Sequence, residues 1–275
     1  HWSLGRFRPG FKSQRPHFYF LKLIRFMKIE RKTLDAIILV SSFLIAIALI
    51  LIFNIHIAIA NVLLFVPPTS YLLIKYPKLR KKSIYFVLPF AFVFTVIVDY
   101  LARFNLVWGY TPVFPFFIFP NIPLEIFGWW FVWMILIITV YETFIDIRHR
   151  NKKISKNYKF FIILLGISFI TFLITFFANP PQINYFYAQV ISLFILIPTV
   201  YIFVKRPALI PKILKLSIFL FFFFLIYEII GLRYGWWNFP GEYLGTVSIL
   251  GVGIPLEELI LWILLGSFWV VPLFE

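Results

Sequence analysis

Eight stretches of about twenty mostly apolar residues recur along this chain, at about 34–53, 57–74, 83–102, 123–145, 160–178, 184–204, 213–231 and 255–274. About twenty such residues wound as an α-helix cross the hydrocarbon layer of a bilayer. Water is absent there, so the backbone must satisfy its own hydrogen bonds. A soluble domain is about half apolar and a quarter charged, whereas this chain is 62% hydrophobic and 13% charged. The pattern therefore predicts an all-α polytopic membrane protein of about eight transmembrane helices. The first two stretches are separated only by "NIHIA" (54–58), and Pro67, Pro68 and Pro198 fall inside apolar stretches, where kinks are expected.

The basic residues predict orientation. Of the 26 lysines and arginines, nine precede residue 33, five lie in 75–82, six in 148–159 and four in 205–215; only Arg103 and Arg233 remain. Eight helices put 24 of these 26 on one side, which the positive-inside rule makes cytoplasmic. Both termini are then expected inside a cell membrane. The net charge of +15 is explained without nucleic acid. The expected organisation is a basic, aromatic arm over 1–33, a first membrane repeat over 34–145, a basic cytoplasmic loop over 146–159 and a second membrane repeat over 160–275. The arm lacks a long apolar core and a small-residue cleavage site, so it reads as a surface segment on anionic headgroups, with Met27 an alternative start. There is no cysteine, hence no thiolate chemistry.

An internal duplication organises the rest. "VPPTSYLLIKYPKLRKK" (66–82) matches "IPTVYIFVKRPALIPKI" (197–213), and "VDYLARFNLVWGY" (98–110) matches "YEIIGLRYGWWNF" (227–239). Asp99 aligns with Glu228, and Trp108 with Trp237, nine residues on in each case. "IPLE" follows in both halves, at 122–125 and 254–257. The repeated core is three helices, and the stretch at 160–178 lies between the copies. Two parallel repeats about an axis along the membrane normal are expected, with both "IPLE" loops on the outer side.

That duplication selects the acids. Of eleven, Glu30, Asp35, Glu142, Asp146 and Glu275 fall near the basic face; Asp99, Glu125, Glu228, Glu242, Glu257 and Glu258 fall on the other. Proline at a helix start with glutamate in the first turn is also a good structural cap, and Asp99 with Arg103 an ordinary i, i+4 pair. Caps do not require Glu258 beside Glu257, nor Glu228 within "FLIYEIIG". Ionisable groups at membrane depth are functional candidates. Neighbouring carboxyls in unlike settings divide into acid and base. Trp108, Tyr110, Trp129, Trp130, Trp236, Trp237, Tyr243 and Trp262 accompany them, as an interfacial belt or as cation-stabilising walls. The histidines at 1, 17, 56 and 149 are scattered, so no metal site is expected.

Asp99 or Glu228, then a tryptophan–glycine element, then "PLE" or "PLEE", twice in one chain, resembles the lycopene cyclase domain, the membrane-embedded carotenoid cyclase type found as two small subunits or their fusion. The resemblance covers about 57–145 and 184–275. The family's motif of proline, any residue, Glu, then Glu or Asp is matched at Pro255, Glu257 and Glu258; the first half has Pro123 and Glu125 but Ile126 in the last position. The resemblance implies a non-redox cyclisation of a hydrophobic, lycopene-type carotenoid, without cofactor or metal. Glu257 and Glu258 would be the proton-donating pair, Glu125 or Glu228 the base and Asp99 a support, with Trp108, Trp129, Trp130, Trp236, Trp237 and Tyr243 around the substrate. Expected partners are the carotenoid, membrane lipids and a second copy of the chain in a homo-oligomer. Another carotenoid-modifying enzyme such as a hydratase, a proton-coupled transporter and a structural scaffold are the alternatives.

Overall fold

A computed structural model describes residues 15–119, 122–146, 158–176 and 179–274. The start of the arm, most of the 146–159 loop and Glu275 lie outside them. The chain divides into two compact units, residues 1–41 and 42–275, the boundary falling inside the first helix. In the first unit every described residue belongs to that helix, α1 (Arg15–Phe53). The segment read as a surface arm is thus helical from Arg15, with Pro16 in the first turn, where its missing N–H costs nothing.

The second unit is mostly helical. α1 ends at Asn54, whose φ of 49° reverses the chain. This places a break at "NIHIA", and α2 (Ile57–Lys75) follows, continuing through Pro67 and Pro68. Pro77 starts α3 (Pro77–Phe94). A π-helical turn (Thr95–Asp99) then leads into α4 (Tyr100–Phe104). α5 (Leu124–Val140) runs into a π turn at Tyr141–Ile145. α6 (Tyr158–Phe176), α7 (Ser192–Lys205), α8 (Ile210–Arg233) and α9 (Gly266–Phe274) complete the helices. Further π turns precede α7 at Tyr187–Ile191 and α9 at Glu258–Leu264.

Among the described residues, five helical segments are long and apolar enough to cross a membrane: Arg31–Phe53, Ile57–Lys75, Pro77–Phe104, Leu124–Ile145 and Pro207–Arg233. The remaining apolar stretches are helical at 158–176, 187–205 and 258–274, the last interrupted at Leu265. Many of the large apolar side chains on these helices point outward, among them Leu44, Ile59, Ile74, Ile174 and Phe222. The architecture is that of a mostly helical protein suited to a membrane. It is not purely α: among the described residues the loops carry three two-stranded antiparallel ribbons. These are β1 (Gly109–Tyr110) with β4 (Trp237–Asn238), β2 (Phe117–Phe119) with β3 (Ile122–Pro123), and β5 (Thr246–Ile249) with β6 (Val252–Pro255).

α5 lies at the centre, packed on α2, α3 and α9. Its tryptophans meet those of the last helical stretch: Trp130 and Trp262 have ring centroids 4.9 Å apart, and Phe94 stacks on Trp269 at 5.0 Å. Such pairs add about 0.5–1.5 kcal/mol each beyond simple burial. The close approach needs Gly266, where a Cβ would lie 2.9 Å from Trp133. At the far end of α5, Glu142 and Asp146 are fully buried, where the sequence suggested only nearness to cations. Lys82 pairs with Glu142 at 3.5 Å while lying 3.9 Å over the Phe274 ring, and Lys212 pairs with Asp146.

Candidate active site

At the opposite end of α5 a cavity with an empty volume of about 840 Å³ is lined by four carboxylates, Asp99, Glu125, Glu228 and Glu258, set among Trp108, Trp129, Trp130, Trp133, Trp237 and Trp262. Each acid is delivered by a different local device. Asp99 ends the π turn after α3, and Glu258 begins the one before α9. An extra residue per turn re-aims the side chains that follow, and such turns often mark functional positions. Glu228 sits on the last stretch of α8, and Glu125 in the first turn of α5.

The nine-residue spacing seen in both halves is a hydrogen bond. Trp108 donates its indole N–H to Asp99 Oδ1 at 3.0 Å, and Trp237 donates to Glu228 Oε1 at 2.7 Å. Gly231 makes room for the Trp237 ring, which a Cβ there would strike. Trp130 gives Asp99 a second indole N–H at 2.8 Å, and the Arg103 guanidinium one turn along acts on Asp99, Tyr110 and Glu125. Asp99 thus accepts two indole N–H groups with a guanidinium nearby.

Glu125 and Glu257 share a different role. Glu125 Oε1 accepts from the backbone of Val113 at 2.6 Å and Phe114 at 3.3 Å, and from the Tyr110 hydroxyl at 3.5 Å. Glu257 Oε1 accepts from Leu244 N–H at 2.7 Å. Each "IPLE" glutamate thus fastens the loop that precedes it. Glu125 also reaches the cavity wall; Glu257 is buried behind it. Burial, and then the neighbouring Glu125, pushes the Tyr110 hydroxyl above the usual tyrosine value, so it stays a donor at physiological pH. Glu258 faces the cavity, accepts a hydrogen bond from the Tyr187 hydroxyl and interacts electrostatically with Glu228.

Of the aromatic residues expected around a substrate, Trp108, Trp129, Trp130 and Trp237 line the cavity. Trp236 does not; it is buried against Tyr227, Tyr234 and Trp237. Nor does Tyr243, whose hydroxyl donates to Val107 O and whose own value burial raises. Glu242 also lies off the cavity wall. Four cavity or near-cavity groups went unread in the sequence: Trp133, Tyr227, Asn61 and Tyr187. Tyr227 donates to Asn61 Oδ1 at 2.6 Å, and both line the wall; Asn61 was the readable signal, a lone amide in an apolar stretch. Tyr187 stands behind Glu258. Among the described residues, no group of three or more histidine or acidic side chains is arranged to hold a metal ion.

What the site can do follows from its contents: deliver and remove protons beside an apolar guest, within walls whose π-faces favour a positive charge. Comparison with protein-family models, curated proteins and solved structures finds no match for this chain.

Proposed function

We propose that this protein is a carotenoid cyclase of the lycopene cyclase type, an integral membrane enzyme that closes a ring at the end of a linear polyene. The observation that carries the reading is the convergence of Asp99, Glu125, Glu228 and Glu258 on one indole-walled cavity. Glu258 and Glu228 face each other with no cation among the residues that line that wall. Two like charges in apolar surroundings repel strongly, so the pair holds one proton and divides into acid and base. Glu258 gives its proton to the terminal double bond. The tertiary cation is attacked by the internal alkene, forming the ring bond and moving the charge onto the ring. Glu228, whose carboxylate accepts the Trp237 N–H, takes a ring proton and restores an alkene. One proton enters and one leaves, so the step needs no redox partner. The faces of Trp129, Trp133, Trp262 and Tyr227 stabilise the intermediate cation.

The reading includes eight membrane spans, both termini cytoplasmic and two parallel repeats. The 24-to-2 sorting of basic residues supports the span count and orientation. The β1–β4 ribbon supports the repeat: Gly109 pairs with Asn238, its counterpart at the same offset that relates Asp99 to Glu228. Inverted repeats would leave those loops on opposite sides of a bilayer, where they cannot pair. Membrane lipids and a second copy of the chain remain the expected partners.

The test is to express the chain in a bacterial host that accumulates lycopene and to extract the pigments. A ringed carotenoid is expected; unchanged lycopene beside a well-folded, membrane-inserted protein would sink the proposal.

A further inference from the structure

The cavity does not explain why Glu258 is held by a buried phenol when Asp99 and Glu228 are held by indoles. Tyr187 is fully buried, and its hydroxyl donates to Glu258 Oε2. Its ring is wedged edge-on between Trp108, at 5.6 Å, and Tyr243, at 6.3 Å. The backbone that carries it is tied to the end of α4. Asn105 accepts from Ile183 N–H at 2.5 Å and donates to Pro181 O at 3.2 Å. Tyr187 begins a π turn, as Glu258 does, so both side chains are set by local departures from α geometry. A group fixed by packing on two sides and by a pinned backbone has the supporting frame that a reactive carboxyl requires.

We propose that Tyr187 is the positioning residue of the acid, holding the Glu258 carboxyl toward the cavity and stabilising the carboxylate that appears as its proton leaves. The proposal rests on the cyclase reading. It also separates the adjacent glutamates: Glu257 is engaged by Leu244 N–H, Glu258 by a hydroxyl whose bond strengthens as negative charge develops. The other groups facing Glu258 are Glu228 from α8 and Tyr243 from the preceding loop, with Asp99, Arg103, Tyr110 and Glu125 across the cavity. None of these replaces the lost donor.

The experiment compares ring formation in membranes carrying wild type, Tyr187→Phe, and 3,5-difluorotyrosine at position 187. Phenylalanine keeps the wedge and removes the bond. Turnover should fall on the order of 10- to 100-fold, as for a hydrogen bond to a charged group, with KM for lycopene unchanged. Without that donor the acid releases its proton less readily, so the alkaline limb of the pH profile should move to higher pH. Difluorotyrosine, a stronger donor of similar size, should restore turnover and move the limb to lower pH. A folded Tyr187→Phe protein with wild-type turnover and pH profile overturns the proposal. If Tyr187→Phe does not fold, the difluorotyrosine protein decides: an unshifted limb overturns it equally. A wild type that makes no ring overturns the cyclase reading and this inference with it.

Discussion

Glu257 and Glu258 are neighbours in sequence and should differ in kind when replaced. Glutamine at 258 keeps size and hydrogen bonding but cannot deliver a proton. A general acid contributes on the order of 10²–10⁴-fold, about 2.7–5.4 kcal/mol of barrier at 1.36 kcal/mol per tenfold. Glu258→Gln should therefore lose nearly all ring formation while accumulating normally in the membrane. Glutamine at 257 retains an oxygen for the Leu244 N–H, 2.7 Å away. Glu257→Gln should keep ring formation within about threefold of wild type, well short of the loss of an acid. Glu257→Ala removes the acceptor of a part-buried hydrogen bond, at a cost of about 0.5–1.5 kcal/mol. It should be less stable, yet active per folded molecule. The assay is ring product per unit of folded protein, with thermal denaturation in detergent alongside. Equal inactivity of folded Glu257→Gln and Glu258→Gln, or an active Glu258→Gln, would refute the division.

Three further outcomes follow from the geometry. Trp130→Phe keeps the ring packing but removes a 2.8 Å bond to Asp99, so it should destabilise by about 1.5–3 kcal/mol, read as a lowered denaturation midpoint. Gly266→Ala should cost about 1–3 kcal/mol through overpacking against Trp133, measured the same way. Single cysteines at Asn151 and Asn238, in this cysteine-free chain, should label from opposite sides of the membrane; labelling from one side rejects the eight-span orientation.

The elements of the site were unevenly legible. Apolar length made the five long membrane-suited helices readable, because a helix's reach across a bilayer is fixed by its rise per residue. The Asp99–Trp108 and Glu228–Trp237 spacing was readable because each bond closes within one helix end and its loop. Tyr187 was hidden because it meets Glu258 from 71 residues away, and nothing local marks such a pairing. The π turns were hidden too. A reading based on 3.6 residues per turn misassigns the face of every residue after an extra one, as beyond Asp99. The two "IPLE" glutamates look equivalent in sequence, yet Glu125 reaches the cavity wall and Glu257 does not. Glu142 and Asp146 looked like face acids near cations; packing of α3 and α8 residues Lys82 and Lys212 against them buries both.

Behind the cavity wall Arg103 acts on Asp99 and Glu125, while among the described residues that line the cavity Glu228 and Glu258 have no cation beside them. The enclosure therefore has two electrical poles. A hydrocarbon feels neither while it is neutral and enters guided by shape alone. Once a positive charge forms on it, the poles become unequal: the guanidinium repels it and the uncompensated pair draws it.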